Sequence, residues 1–130
     1  MSTSTKRMAT AFGSLAAATL ATVALAAPAH AADRTIQLTS PSGAVHSVLS
    51  WDDSVDTLCL TLRSGAAGAY ADADMRLVGG GSAQYLHVSA SRPRHCTGNL
   101  SIAEDRLAEM RLYGGANTFH SSTGWVQFYT

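Results

Sequence analysis

The 130-residue sequence predicts one small all-β domain, a sandwich of about seven strands held by a single disulfide, behind an N-terminal export signal. Three observations carry this. Apolar and polar residues alternate with period two from Arg34 onward, the alternating runs are short and bounded by Gly, Ser, Asp and Pro, and the only two cysteines, Cys59 and Cys96, lie in the alternating part.

The chain starts with Lys6 and Arg7, an apolar run from Ala11 to Ala27, and a small-x-small site at Ala29-His30-Ala31, the three zones of a signal peptide. Cleavage after Ala31 divides the chain into a signal peptide (1–31) and a single secreted β domain (32–130) with an extracellular destination. The apolar run is Ala- and Thr-rich and falls short of the roughly 20 strongly apolar residues of a spanning helix, so no membrane association is expected after cleavage. No cysteine stands near the site to take a lipid, and Lys6-Arg7 lacks the paired arginines of a twin-arginine signal, which leaves the general secretory route.

The mature part keeps 99 of the 130 residues, enough for one domain with a modest core. It carries seven Arg against nine Asp and Glu, a formal charge of −2, and this excludes a generally basic, nucleic-acid-binding surface. In an oxidising compartment Cys59 and Cys96 are expected to join. The bridge would close a loop of about 38 residues, for which chain entropy gives a stabilisation of roughly 4 kcal/mol. Two free thiols or a two-ligand metal site are the alternative.

Along the mature chain, Ile36 and Leu38 alternate with Thr35, Gln37 and Thr39 before Ser40-Pro41-Ser42-Gly43 breaks the strand. Ala44 to Trp51 runs into the turn Asp52-Asp53-Ser54, and Thr57 to Arg63 places Leu58, Leu60 and Leu62 on one face, as in a central strand. Tyr70 to Val78 sets Ala71, Ala73, Met75 and Leu77 against Asp72, Asp74 and Arg76. After the glycine turn 79–81, Ala83 to Ala90 turns Tyr85, His87 and Ser89 away from Gln84, Leu86 and Val88. Arg106 to Tyr113 and Trp125 to Tyr129 complete seven strands. Ser101-Ile102-Ala103-Glu104 also matches a helix capping box, and Ala103, Leu107 and Met110 have helical spacing, so Ser101 to Met110 has a helical alternative. Residues 73–80 and 108–115 share the pattern A-[DE]-M-R-L-x-G-G, read as two similar strands entering glycine turns.

A strand ending in Ser50-Trp51-Asp52-Asp53, a following Leu58-Cys59-Leu60, and a later Cys96-Thr97-Gly98-Asn99-Leu100-Ser101-Ile102-Ala103-Glu104 leading into another strand resemble a group of small secreted proteins of filamentous, Streptomyces-type actinobacteria. The likeness covers most of the mature chain, with Ala103-Glu104-Asp105 standing where such proteins often carry Pro-Glu-Gly. The resemblance implies a small immunoglobulin-like β-sandwich and export. It implies no activity.

His46, His87, His95 and His120 have no zinc-site spacing and read as scattered polar-face histidines; no serine sits in a G-x-S-x-G elbow. No catalytic residue, metal or cofactor is therefore expected. Asp52, Asp53, Asp56, Asp72 and Asp74 offer oxygens of the kind Ca²⁺ takes, without an EF-hand loop, and read more simply as turn formers. Ser91-Arg92-Pro93-Arg94-His95-Cys96 reads as an exposed, stiff loop: two guanidiniums, an imidazole, a fixed proline φ and a disulfide anchor. Trp51, Tyr70, Tyr85, Tyr113, Trp125, Phe128 and Tyr129 are candidates for a sugar-stacking platform; in the last strand Trp125, Gln127 and Tyr129 point one way, which suggests one exposed aromatic face. The expectation is a non-catalytic binding module whose extracellular protein or glycan partner meets Arg92, Arg94 and His95 or Trp125 and Tyr129. The alternative is an extracellular protease inhibitor presenting the Arg92 to His95 loop.

Overall fold

The computed structural model describes residues 31–130; the segment read as a signal peptide, apart from Ala31, lies outside the described residues. Among the described residues nine strands follow one another: β1 (Arg34–Thr39), β2 (Val45–Asp52), β3 (Thr57–Leu62), β4 (Tyr70–Leu77), β5 (Ala83–Ser89), β6 (Arg94–Cys96), β7 (Leu107–Ala116), β8 (Phe119–Ser122) and β9 (Val126–Tyr129). Seven of them are the expected ones. Two are additional: β6 lies within the segment read as a loop, and β8 within a polar stretch. No helix forms over Ser101 to Met110, where Ser101 and Asp105 take positive φ values of 51° and 59° and break the helical path.

All pairings are antiparallel, and they make two sheets. Sheet 1 has the order β1-β2-β3-β6; sheet 2 has the order β5-β4-β7-β8, with β9 also pairing β7. Their inner faces meet in one core, because alternation along each strand delivers its apolar set to the same side. Sheet 1 contributes Leu38, Leu49, Trp51, Leu58, Leu60 and Leu62, and sheet 2 contributes small residues (Ala71, Ala73, Ala108) beside Met75, Leu86, Met110 and Leu112. The Trp51 and Phe128 rings face each other across the core, centroids 6.0 Å apart.

Cys59 and Cys96 are bonded, as expected. They sit directly opposite each other on β3 and β6, Cα atoms 4.1 Å apart, so the bridge lies within sheet 1 rather than between the sheets. It fixes to its neighbour a three-residue strand too short to hold its register alone.

The shared pattern of 73–80 and 108–115 has a different origin from two glycine turns. Gly79 and Gly80 do form a turn, with φ of 91° and 105°, but Gly114 and Gly115 lie inside β7. A Cβ on Gly114 would stand 2.5 Å from the Tyr70 carbonyl oxygen and 2.8 Å from the Ala71 Cα, so close approach of β4 requires glycine there. The two segments are partners. Met75 faces Met110, and on either side Asp74 faces Arg111 and Arg76 faces Glu109. Read antiparallel, A-D-M-R-L complements L-R-M-E-A, with each acid opposite a base.

Candidate functional site

The outer face of sheet 2 gathers the functional side chains, and strand register builds it row by row. The first row is His87 (β5), Asp72 (β4), Tyr113 (β7) and Ser122 (β8). The next is Tyr85, Asp74 and Arg111, with Trp125 at the edge; the third is Ala83, Arg76, Glu109 and Gln127. Each acid on this face has a cationic or hydroxyl partner. Asp72 Oδ1 accepts from the Tyr85 hydroxyl at 2.5 Å and from His87 Nδ1 at 2.7 Å. Asp74 Oδ2 accepts from Arg111 at 2.7 Å, and Glu109 Oε1 from Arg76 at 2.5 Å.

Trp125 is positioned by a break in the strand pairing β7. β8 and β9 run in the same direction along one edge of β7, but their registers differ by one residue: Tyr113 faces Ser122, whereas Met110 faces Val126. The extra residue is absorbed at Gly124, whose φ is 71°, while Thr123 holds Leu112 through a backbone bond and a hydroxyl bond. This is a bulge, and a bulge re-aims the side chain that follows it. The Trp125 ring comes to rest with the Arg76 and Arg111 guanidinium carbons 4.2 and 4.8 Å from its centroid, a cation–π contact that leaves the residue 37% exposed. Arg111 also lies 5.1 Å from the Tyr113 ring centroid. Tyr85 and Tyr129 are exposed on the same face.

The electrostatics favour neutral phenols. The Tyr85 pKa is pushed up to about 12, first by its hydrogen bond to Asp72, then by burial and by the charge of the same carboxylate. Tyr113 is also raised, by burial first and then by the charges of Asp74 and Asp72.

Of the residues singled out from sequence, Trp125 and Tyr129 lie on this face. Arg92, Arg94 and His95 do not; Arg92 and Arg94 are exposed, as expected, but Arg94 and His95 belong to a paired strand rather than a loop. Arg92 closes a tight turn through paired backbone bonds with Ser89, and the Pro93 carbonyl accepts from Leu62 at 2.7 Å. Arg94 lies on the outer face of β6, its guanidinium 3.7 Å from Cys59 Sγ. His95 faces Leu60 and is half-buried with Nδ1 unpartnered, so alternation sends these two side chains to opposite faces of sheet 1. His46 is not a polar-face histidine either. A register shift on β2 turns it inward, where it is buried against Phe119 and bonds the Tyr70 carbonyl through Nε2, which must therefore carry the proton. The aspartates of the β2–β3 turn bond nearby groups: Asp52 accepts from Ser54, Asp53 from the Trp51 indole, and Asp56 from the Ile102 amide.

No protein-family model, curated protein or solved structure matches the chain.

Sequence reasoning missed Asp72, Tyr85, His87, Asp74, Arg76 and Arg111 as one assembly. The signal was present: the repeated A-[DE]-M-R-L pattern is charge-complementary when one copy is reversed, which places both arginines on one surface, diagonally across the β4–β7 pair.

Proposed function

We propose that the exported domain is a non-catalytic extracellular binding module whose ligand, a neutral glycan, docks on the outer face of sheet 2 around Trp125 and Tyr129. The observation that carries the reading is the Trp125 ring, braced on two guanidiniums yet 37% exposed. An aromatic held in place before the ligand arrives loses little freedom on binding, and an indole offers the flat apolar surface on which a sugar ring stacks. Tyr85, Tyr129 and Gln127 flank it on the same face with hydroxyl and amide groups suited to sugar hydroxyls. Arg76 and Arg111 are each occupied by a carboxylate, so the face presents no uncommitted arginine to an acidic polymer.

The strand order supports an immunoglobulin-like type of sandwich, in keeping with small secreted proteins of filamentous actinobacteria. β2-β3-β6 corresponds to strands A-B-E, β5-β4-β7-β8 to C′-C-F-G, and β1 is an added edge. The bridge then joins B to E, where antibody domains link B to F across the sheets. The inhibitor reading has less behind it, since Arg94 and His95 are held in a paired strand.

Retention of the disulfide-bonded domain in gels cast with soluble neutral polysaccharides, and on insoluble cellulose and chitin, tests the proposal. Binding to at least one is expected, with Trp125→Ala weakening it by roughly tenfold or more, as for a buried aromatic anchor. Thr61→Ala, on the opposite sheet, should leave it unchanged. No retention on any polymer, or retention indifferent to Trp125, overturns the reading.

A further inference from the structure

A second site lies away from the aromatic face, between the β4–β5 hairpin and the connection from β6 to β7. A cleft of about 580 Å³ opens there, within the range of small-molecule sites. Met75 and Leu77 on one wall face Leu100 and Ile102 on the other, and Gln84 and Arg106 supply polar groups. Gln84 occupies an inward-facing position of β5 where Leu86 and Val88 otherwise continue the apolar set. Arg106 forms no ion pair among the described residues, unlike Arg76 and Arg111; its acidic neighbours Glu104 and Asp105 do not line the cleft.

The outer wall is fixed by a framework of hydrogen bonds. The Leu100 amide donates to the Asp56 carbonyl at 3.0 Å and the Ile102 amide to Asp56 Oδ2 at 3.1 Å, while Asn99 Oδ1 accepts from the Ser101 amide at 2.7 Å. Asp56, Ser101 and Asp105, which belong to this wall and its clasp, are the non-glycine residues with positive φ among the described residues. Left-handed conformations are unfavourable for such residues and persist only where the surroundings fix them. They set the path of the wall, whose Leu100 and Ile102 side chains are partly buried against the core.

We infer that this cleft binds a small amphiphilic carboxylate, its aliphatic chain between Leu77 and Ile102 and its charged end on Arg106, with the Gln84 amide as a further donor. Charge complementarity selects the class: an apolar slot with one uncommitted guanidinium suits a single anionic head. The site is independent of the glycan proposal.

Titration of the disulfide-bonded domain with decanoate, followed by amide chemical shifts, provides the test. Decanoate at millimolar concentration should move the Gln84, Leu100 and Ile102 resonances, and 1-decanol, equally apolar but uncharged, should bind about tenfold more weakly. Arg106→Gln should reduce decanoate affinity by a similar factor without altering 1-decanol binding, whereas Ile102→Trp, which fills the slot, should abolish both. Trp125→Ala should bind decanoate normally. Shifts absent at millimolar decanoate, or equal affinity for acid and alcohol, or no effect of Arg106→Gln, each overturn the inference.

Discussion

The Asp72 carboxylate accepts from a phenol and an imidazole through one oxygen, and Tyr85 registers the consequence. Its hydroxyl can donate only while protonated, so the bond and the neighbouring negative charge both oppose ionisation and move its pKa from the ordinary 10.0 to about 12. A group with a raised folded pKa stabilises the fold fully below its unfolded pKa and loses that contribution as pH rises through the folded one. The Tyr85 contribution is therefore complete below pH 10.0 and disappears as pH climbs through about 12. Tyrosinate absorbance across this range, with Tyr85→Phe subtracted to isolate the single phenol, should show late ionisation. Asp72→Asn, which removes the charge, should bring it back toward the ordinary value. Ionisation of Tyr85 near pH 10.0 in the unmodified protein would contradict the described bond.

At the level of strands, the β4–β7 pair concentrates two ion pairs and the Trp125 support on one interface. Both pairs are partly exposed, so each contributes modestly on its own. A double-mutant cycle over Asp74→Ala and Arg111→Ala should give a coupling of about 0.5–1 kcal/mol in denaturant melts, the upper end of surface pairs because the guanidinium is also confined by two aromatic rings. Coupling indistinguishable from zero would mean that the pair does not hold in solution. Seven strands were legible because each carries enough alternating residues to reveal its inward face. β6 was not, being three residues after a proline, with its partner named only by the cysteine it carries. β8 was hidden because Phe119 is its sole apolar residue. The capping-box match at Ser101 was local chemistry overruled by other contacts: the Ser101 amide, which Glu104 would receive in a capping box, goes to Asn99 Oδ1, and Asp56 holds the flanking Leu100 and Ile102 amides on a non-helical path. Trp125 and Tyr129 were legible as sharing a face, but the acids and bases beside them became a site only once register set Asp74 opposite Arg111.

Across the whole molecule, the Cys59–Cys96 bridge ties residues 37 positions apart and spans the crossing from sheet 1 to sheet 2 and back. Replacing both cysteines with serine should lower unfolding free energy by about 2–4 kcal/mol in urea titrations, a large part of the total for a domain of this size. Unchanged midpoints would show that the bridge contributes little. The reversed likeness of β4 and β7 bears on assembly as well as stability. A segment that complements its own sequence read backwards can mate with a duplicate of itself: Met75 of one molecule can oppose Met75 of another, with Asp74 against Arg76 on both sides. Before folding is complete, the chain thus exposes two mutually adhesive tracts, and high protein concentration during refolding lets strand exchange between neighbours compete with the intramolecular match.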